Sequence, residues 1–307
     1  MIRFLPAWLI GSVSFVAFIL NTLFWVPFLL LTAIVRVVVP VPSLVTACRR
    51  AAVWVAEHWI GFNVLGLRAG GQMRWEVTEP AGLRHDAWYA IACNHRSWVD
   101  IVIVQWLFNR RLPMLKFFLK KELFWVPVLG LCWWALEFPF MQRYPRAVLE
   151  KRPELRRRDL DTTRAACDRF RDMPVCVLNF LEGTRFSLEK RDRQQSPYRH
   201  LLLPRAGGIA QVVSSLGDRL ASLLDVTIVY PDGTPSFWDL ISGQIPRVRV
   251  DVREVPIDAR WRGRDYEADA EFRGEFQAFV RELWARKDDR IARMIDGNAP
   301  SNRVAAR

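Results

Sequence analysis

The chain has 307 residues, 51% of them hydrophobic and 12% aromatic, enough for a sizeable buried core in one large domain or two small ones, which excludes intrinsic disorder and a disulfide-stapled miniprotein. Its 44 Lys and Arg against 32 Asp and Glu leave a formal charge of +12. A nucleic-acid binder can be this basic, but 14 Trp and 19 Phe gathered in apolar runs point to a membrane surface, where basic groups meet anionic headgroups and aromatic rings settle at the interface.

The first predicted element is the uncharged run Phe4–Val35, 32 residues between Arg3 and Arg36. It is too long for the apolar core of a signal peptide, and no small-residue cleavage site follows it. As one helix it would extend ~48 Å against a hydrocarbon layer of ~30 Å. The segment therefore has to tilt, kink at Asn21 or Pro27, or dip into one leaflet as a hairpin. Arg36, Arg49 and Arg50 outnumber Arg3, so the positive-inside rule expects the remainder on the cytoplasmic face. Cys48, Cys93, Cys132, Cys167 and Cys176 contain no C-x-x-C pair, which agrees with a reducing compartment.

Residues 43–66 read as an interfacial helix carrying Trp54 and Trp59, and Gly70 with Gly71 marks a turn. Arg74–Val77 reads as a strand and Trp88–Cys93 as a fully buried one. Segment 98–109 reads as a helix. From Leu112 to Phe140, Arg111, Lys116, Lys120 and Lys121 alternate with Phe, Leu and Trp, the composition of a surface pressed against lipid. A charged insert runs from Arg143 to about Asp172, with a solvated helix expected over 158–171. Val175–Phe180 and Leu224–Tyr230 are further buried-strand candidates, and 246–255 alternates as a half-exposed strand should. Residues 265–294 carry an amphipathic helix. The organisation expected is a membrane anchor with an interfacial helix over 1–66, an α/β domain over 67–295 and a flexible tail over 296–307.

Two loops carry the chemistry. Asn94, His95, Arg96, Ser97, Trp98, Val99 and Asp100 begin where a buried strand ends, the place where α/β folds put reactive groups. A base with a carboxylate five residues on can hold one imidazole tautomer and steady the imidazolium formed on proton abstraction. Ser97 and Asp100 also fit a helix-capping box, so spacing alone does not separate catalysis from capping. No Gly-x-Ser-x-Gly elbow supplies a serine nucleophile, and no second His lies at metal-ligand spacing from His95. In the second loop, Leu181, Glu182, Gly183, Thr184 and Arg185 follow another buried strand; Gly183 permits a close turn and Arg185 offers a planar fork suited to phosphate. Arg143 and Lys121 are further candidates for the same site.

His95 and Asp100 after Asn94, the Phe140–Arg143 segment, Phe180–Arg185 and Val226–Pro231 stand in the order of the four motif blocks of the glycerolipid acyltransferases. Over residues 88–232 the chain resembles the 1-acylglycerol-3-phosphate (lysophosphatidate) acyltransferases, in particular the lysocardiolipin-acyltransferase-like branch. It departs in lacking the second proline usual in the fourth block and in carrying, over 144–174, a charged insert longer than in the shortest family members. The resemblance implies a mixed α/β sheet flanked by helices behind a membrane-embedded N-terminal segment. It implies His95 as general base and Asp100 as its orienting partner. Glu182, Gly183, Thr184 and Arg185, with Arg143 and Lys121, would form the site for the acceptor's phosphate, and Asn94 and Pro231 would be structural or on the donor side. The implied reaction moves an acyl group from acyl-CoA or acyl carrier protein to the sn-2 hydroxyl of lysophosphatidate, with no bound cofactor, metal or nucleic acid, at the cytoplasmic face of a bacterial inner membrane. The alternatives are another lysophospholipid acceptor, such as lysocardiolipin or lysophosphatidylglycerol, and, more distantly, a non-catalytic membrane-tethered basic protein.

Overall fold

The computed structural model describes residues 5–71, 73–142 and 165–297. Arg143, the first part of the helix expected over 158–171 and most of the tail expected over 296–307 lie outside them; residues 165–170 are helical.

The uncharged N-terminal run is one continuous helix, α1 (Ala7–Val38), with Pro27 inside it. Three residues connect it to α2 (Pro42–Gly70), which opens with proline at its first position, where the missing N–H has no helical partner to lose. Asn21 is not a break point: its amide donates to the Trp59 carbonyl at 3.0 Å and to Asn63 Oδ1 at 2.7 Å, tying α1 to α2. The inward face of α1 carries Ile10, Ser14, Trp25, Leu29 and Ala33, spaced by four or by eleven residues, about one or three turns, so that they return to one side of the helix. The opposite face leaves Trp8, Phe15, Leu20, Phe24, Phe28 and Leu31 exposed.

Both ends of α1 touch the rest of the molecule. A Cβ on Gly11 would lie 2.7 Å from the Trp238 ring, and Arg36 donates to the Ala135 carbonyl at 3.1 Å beside its ion pair with Glu137. The helix therefore lies along the α/β body over its length. α2 continues about one turn past residue 66, where the anchor was expected to end, because Leu67 and Gly70 are buried against that body. Gly71 and Gly243 close this seam: a Cβ on Gly71 would meet the Gly243 Cα at 2.7 Å, and Gly243 has φ +70°.

Beyond α2 come β1 (Arg74–Thr78), β2 (Trp88–Cys93), α3 (Val99–Phe108), β3 (Leu115–Phe117), β4 (Leu119–Lys120), α4 (Leu129–Ala135), β5 (Phe140–Met141) and β6 (Cys176–Phe180). Then follow α5 (Leu188–Arg193), α6 (Ala206–Leu216), β7 (Leu220–Val229), α7 (Phe237–Ile241), β8 (Arg247–Val255) and α8 (Ala270–Ile295). Six strands form one sheet in the order β1-β8-β7-β2-β6-β3, with only the β7–β8 pair antiparallel. The three apolar runs expected as buried strands are its adjacent central members, β7, β2 and β6, all parallel. Alternate residues of β2 enter opposite cores: Ala90 and Ala92 pack with α6 and α8, while Tyr89, Ile91 and Cys93 pack with α3 and α7. Burial on both faces is why β2 reads as an unbroken apolar run.

α8 also places charge behind the sheet. Fully buried Lys287 sits 2.6 Å from Asp225 and donates to the carbonyls of Ala92 and Val226 at 3.1 and 2.5 Å. Arg290 holds the other Asp225 oxygen at 2.9 Å. Such charges are tolerated in a core only when paired.

The segment from Leu112 to Phe140, expected to skim lipid, is divided between core and surface. Leu112, Met114, Leu119, Cys132, Ala135, Leu136 and Phe138 are buried against α1 and α2 or the sheet. Lys116 points inward, donating to the Leu136 carbonyl and lying 4.9 Å from the Phe138 ring centre; burial pulls its ammonium down to about 8. Trp125, 79% exposed, faces outward together with Val128, Leu131 and Trp134.

Candidate active site

Because β7, β2 and β6 are parallel neighbours, the loops leaving their C-terminal ends meet at one end of the strands, in the middle of the sheet. Those loops are 94–98, 181–187 and 230–236, which hold three of the four sequence blocks. Backbone bonds lace the first two: Leu181 N–H donates to the Cys93 carbonyl at 3.2 Å and Phe186 N–H to the His95 carbonyl at 2.8 Å. Asn94 is fully buried and acts as a strand residue in side-chain form, donating to the Ile228 carbonyl at 2.9 Å and accepting from the Ile228 N–H at 2.8 Å.

His95 Nδ1 lies 2.8 Å from Asp100 Oδ2. The same oxygen accepts from the N–H groups of Arg96 at 2.6 Å and Ser97 at 2.8 Å, and Tyr230 donates its hydroxyl to Oδ1 at 2.8 Å. Asp100 is fully buried, so these four partners account for a carboxylate that water cannot reach. The capping box does not form: α3 is capped at Trp98 with no side-chain bond, and Ser97 Oγ instead accepts from Val99 N–H at 3.1 Å while its hydroxyl anchors to the Pro235 carbonyl at 2.5 Å. The His95 side chain is 15% exposed, with Phe180 stacked on its face at 4.1 Å. With Nδ1 engaged and one face covered, Nε2 is the ring atom available to a substrate.

Glu182 is fully buried, and its two oxygens are taken by backbone: Oε1 by His95 N–H at 2.7 Å and Oε2 by Leu202 N–H at 3.0 Å. Burial pushes its carboxyl up to about 7, against the pull of those N–H groups and of Arg96. Its geometry is that of a clamp on the His95 loop, set back from any open surface. Gly183 has φ +68°, and a Cβ there would come within 3.0 Å of the Arg205 side chain, so the turn demands glycine. Thr184 Oγ1 accepts from Lys190 Nζ at 3.1 Å. Arg185 is exposed and lies over the Trp98 ring at 4.7 Å, while Arg96 lies over Phe186 at 4.5 Å. Each loop thus lends an arginine to an aromatic ring of the other.

Lys121 is exposed at the start of a short turn, outside the hydrogen-bond network around His95. The β4–β5 ladder pairs Lys120 with Met141, so the parallel strands carry Lys121 and Gln142 to the same end; Arg143 lies outside the described residues. Pro231 is half-buried just after Tyr230 and β7. Among the described residues no group of three His, Cys, Asp or Glu side chains is arranged to hold a metal. Tyr230 and Phe180 are the two members that sequence reasoning left out. Each sits at or just beyond the C-terminal end of a buried strand and inside a quoted block, which was the signal available.

A family model described as Acyltransferase matches residues 74–234. The chain is 28% identical over 194 residues to 1-acyl-sn-glycerol-3-phosphate acyltransferase 3 of Arabidopsis thaliana, covering 58% of this chain and 47% of that protein. It is 26% identical over 212 residues to human 1-acyl-sn-glycerol-3-phosphate acyltransferase delta, covering 64% and 50%. The alignments thus span about half the length of these curated relatives. The crystal structure of the 1-acyl-sn-glycerophosphate (LPA) acyltransferase PlsC from Thermotoga maritima shares the fold, with TM-score 0.55 at 16% identity over 92% of this chain and 95% of that one. A family match across more than half the chain, on the segment that builds the His95–Asp100 pair and the Glu182–Arg185 turn, establishes that this chain belongs to the Acyltransferase family.

Proposed function

We propose that this protein transfers a fatty acyl group from a thioester donor to the sn-2 hydroxyl of lysophosphatidate, yielding phosphatidate. The observation that carries the reading is the His95–Asp100 pair, closed at 2.8 Å beside the exposed guanidinium of Arg185. The names of the curated relatives support the acceptor.

In this mechanism His95 Nε2 takes the proton of the acceptor hydroxyl as its oxygen attacks the thioester carbonyl. Asp100 holds the imidazole by Nδ1 and offsets the charge of the imidazolium. Collapse of the tetrahedral adduct forms the ester, breaks the carbon–sulfur bond and returns the proton to the departing thiolate. The thioester is already activated, so no acyl-enzyme intermediate is needed. Arg185 grips the acceptor phosphate, with Arg143 and Lys121 as further cations, and so positions the hydroxyl. The donor is acyl-CoA or acyl carrier protein. The apolar outer face of α1 beds into the surface of one leaflet, which puts the site where a lysolipid resides.

The test is transfer by the purified chain in phospholipid vesicles, with lysophosphatidate and matched acyl-CoA and acyl carrier protein donors, against lysocardiolipin and lysophosphatidylglycerol. Phosphatidate formation that disappears in His95→Ala supports the reading. Faster turnover of another lysolipid, or none of any, overturns it.

A further inference from the structure

We propose that Tyr230 is a positioning residue for acyl transfer, acting on His95 through Asp100. The proposal rests on the acyl-transfer reading of the site and adds a third member to its proton-transfer chain.

The Tyr230 hydroxyl donates to Asp100 Oδ1 at 2.8 Å from the end of β7, 130 residues away in the chain. The two carboxylate oxygens are thereby divided. Oδ2 serves the His95 ring and the two loop N–H groups, while Oδ1 has Tyr230 as its partner. A buried oxygen of this kind cannot turn to water if the partner is removed. Burial and the adjoining carboxylate push the Tyr230 hydroxyl well above its ordinary range, so it stays a donor at any working pH.

The hydrogen bond therefore does two things. It fixes the carboxylate plane, aiming Oδ2 at Nδ1, and it draws negative charge toward Oδ1, away from the imidazole. The other ionisable neighbours are Arg96 and Cys93 on the same strand and loop and Glu182 from the adjoining loop, while Lys287 and Asp225 act on Cys93 from behind the sheet. None of them is hydrogen-bonded to Oδ1. Removing the hydroxyl returns charge to Oδ2, favours the imidazolium and leaves less free base at a given pH.

The experiment measures kcat and KM from pH 5 to 9 for the full chain in vesicles, with lysophosphatidate and whichever thioester the wild type turns over. In Tyr230→Phe we expect kcat about 3–30-fold lower, by analogy with other bonds to charged groups, with KM for lysophosphatidate little changed. The acidic limb of the pH–rate profile should move up by about half to one unit. Placing 4-aminophenylalanine at 230, which restores an N–H donor, should return the limb toward its original position. In an Asp100→Asn background the loss of the hydroxyl should cost less than about twofold. Tyr89→Phe removes a buried tyrosine hydroxyl from the neighbouring strand, where it accepts from Arg84 N–H at 3.0 Å, and should leave the limb in place. A rate loss with an unmoved limb, or one undiminished by Asp100→Asn, overturns the proposal. An inactive wild type, or an active His95→Ala, defeats the acyl-transfer reading instead.

Discussion

Phe180 and His95 stack with ring centres 4.1 Å apart and planes 19° from parallel. The aromatic face is the electron-rich one, so it favours the imidazolium that forms when His95 accepts a proton, an interaction of roughly 0.5–2 kcal/mol depending on desolvation. Phe180→Leu keeps a half-buried apolar side chain but loses that face. The expected result is kcat about 3–20-fold lower with the acceptor KM near wild type; an unchanged kcat would leave the stack a packing contact only.

His95→Ala should lower kcat by ~10²–10⁴-fold, the usual cost of losing a general base. Folding should survive, because the backbone N–H that Glu182 holds at 2.7 Å remains. Circular dichroism and vesicle flotation check that the protein stays folded and attached. Residual activity near the wild-type level would sink the mechanism.

Arg185 lies over Trp98, an arrangement a lysine ammonium on its flexible stem does not reproduce. Arg185→Lys should raise the KM for lysophosphatidate by about 3–10-fold and Arg185→Ala by more, with thioester KM nearly constant. Trp98→Ala should reproduce the Arg185→Lys effect, since it removes the platform and leaves the charge. If these changes weaken only thioester use, the phosphate belongs elsewhere.

The Glu182 carboxyl, raised from 4.5 to about 7 by burial, links stability to pH. A group raised in the folded state stabilises most below its unfolded value and loses that contribution as pH rises through its folded one. Its part of the stability should therefore fall between about pH 4.5 and 7, by roughly 3 kcal/mol for a shift of this size. Glu182→Gln cannot titrate, and one of its two positions becomes an N–H₂ facing a backbone N–H. It should be less stable than wild type at pH 5, with the gap narrowing toward pH 8. Denaturant melts at a series of pH values check this, and a gap independent of pH would contradict it.

The buried strands were legible because burial on both faces of a parallel sheet favours apolar residues at successive positions: 88–93 is an unbroken apolar run, and 175–180 and 224–230 are mainly apolar around Asn179, Asp225 and Thr227. His95, Asp100 and the Glu182–Arg185 turn were legible because each occupies a short stretch of chain beyond one of those runs. α1 was foreseen as apolar and long, but not as lying along the body, since that depends on Trp238 and Glu137 reaching it from distant segments.

What the sequence by itself determined is therefore local: the long helices and the central apolar strands, and which two loops hold polar groups able to act on a substrate. Only the tertiary structure decided how those groups divide the work. Glu182 read as a ligand for the acceptor and is a buried clamp on two backbone N–H groups; Lys116 read as a lipid-facing cation and is buried against Leu136 and Phe138. Tyr230 and Phe180 join the site because β7 and β6 flank β2. Periodicity is set by neighbours along the chain, whereas strand order brings together residues 130 positions apart, and no local pattern records which strand lies beside which.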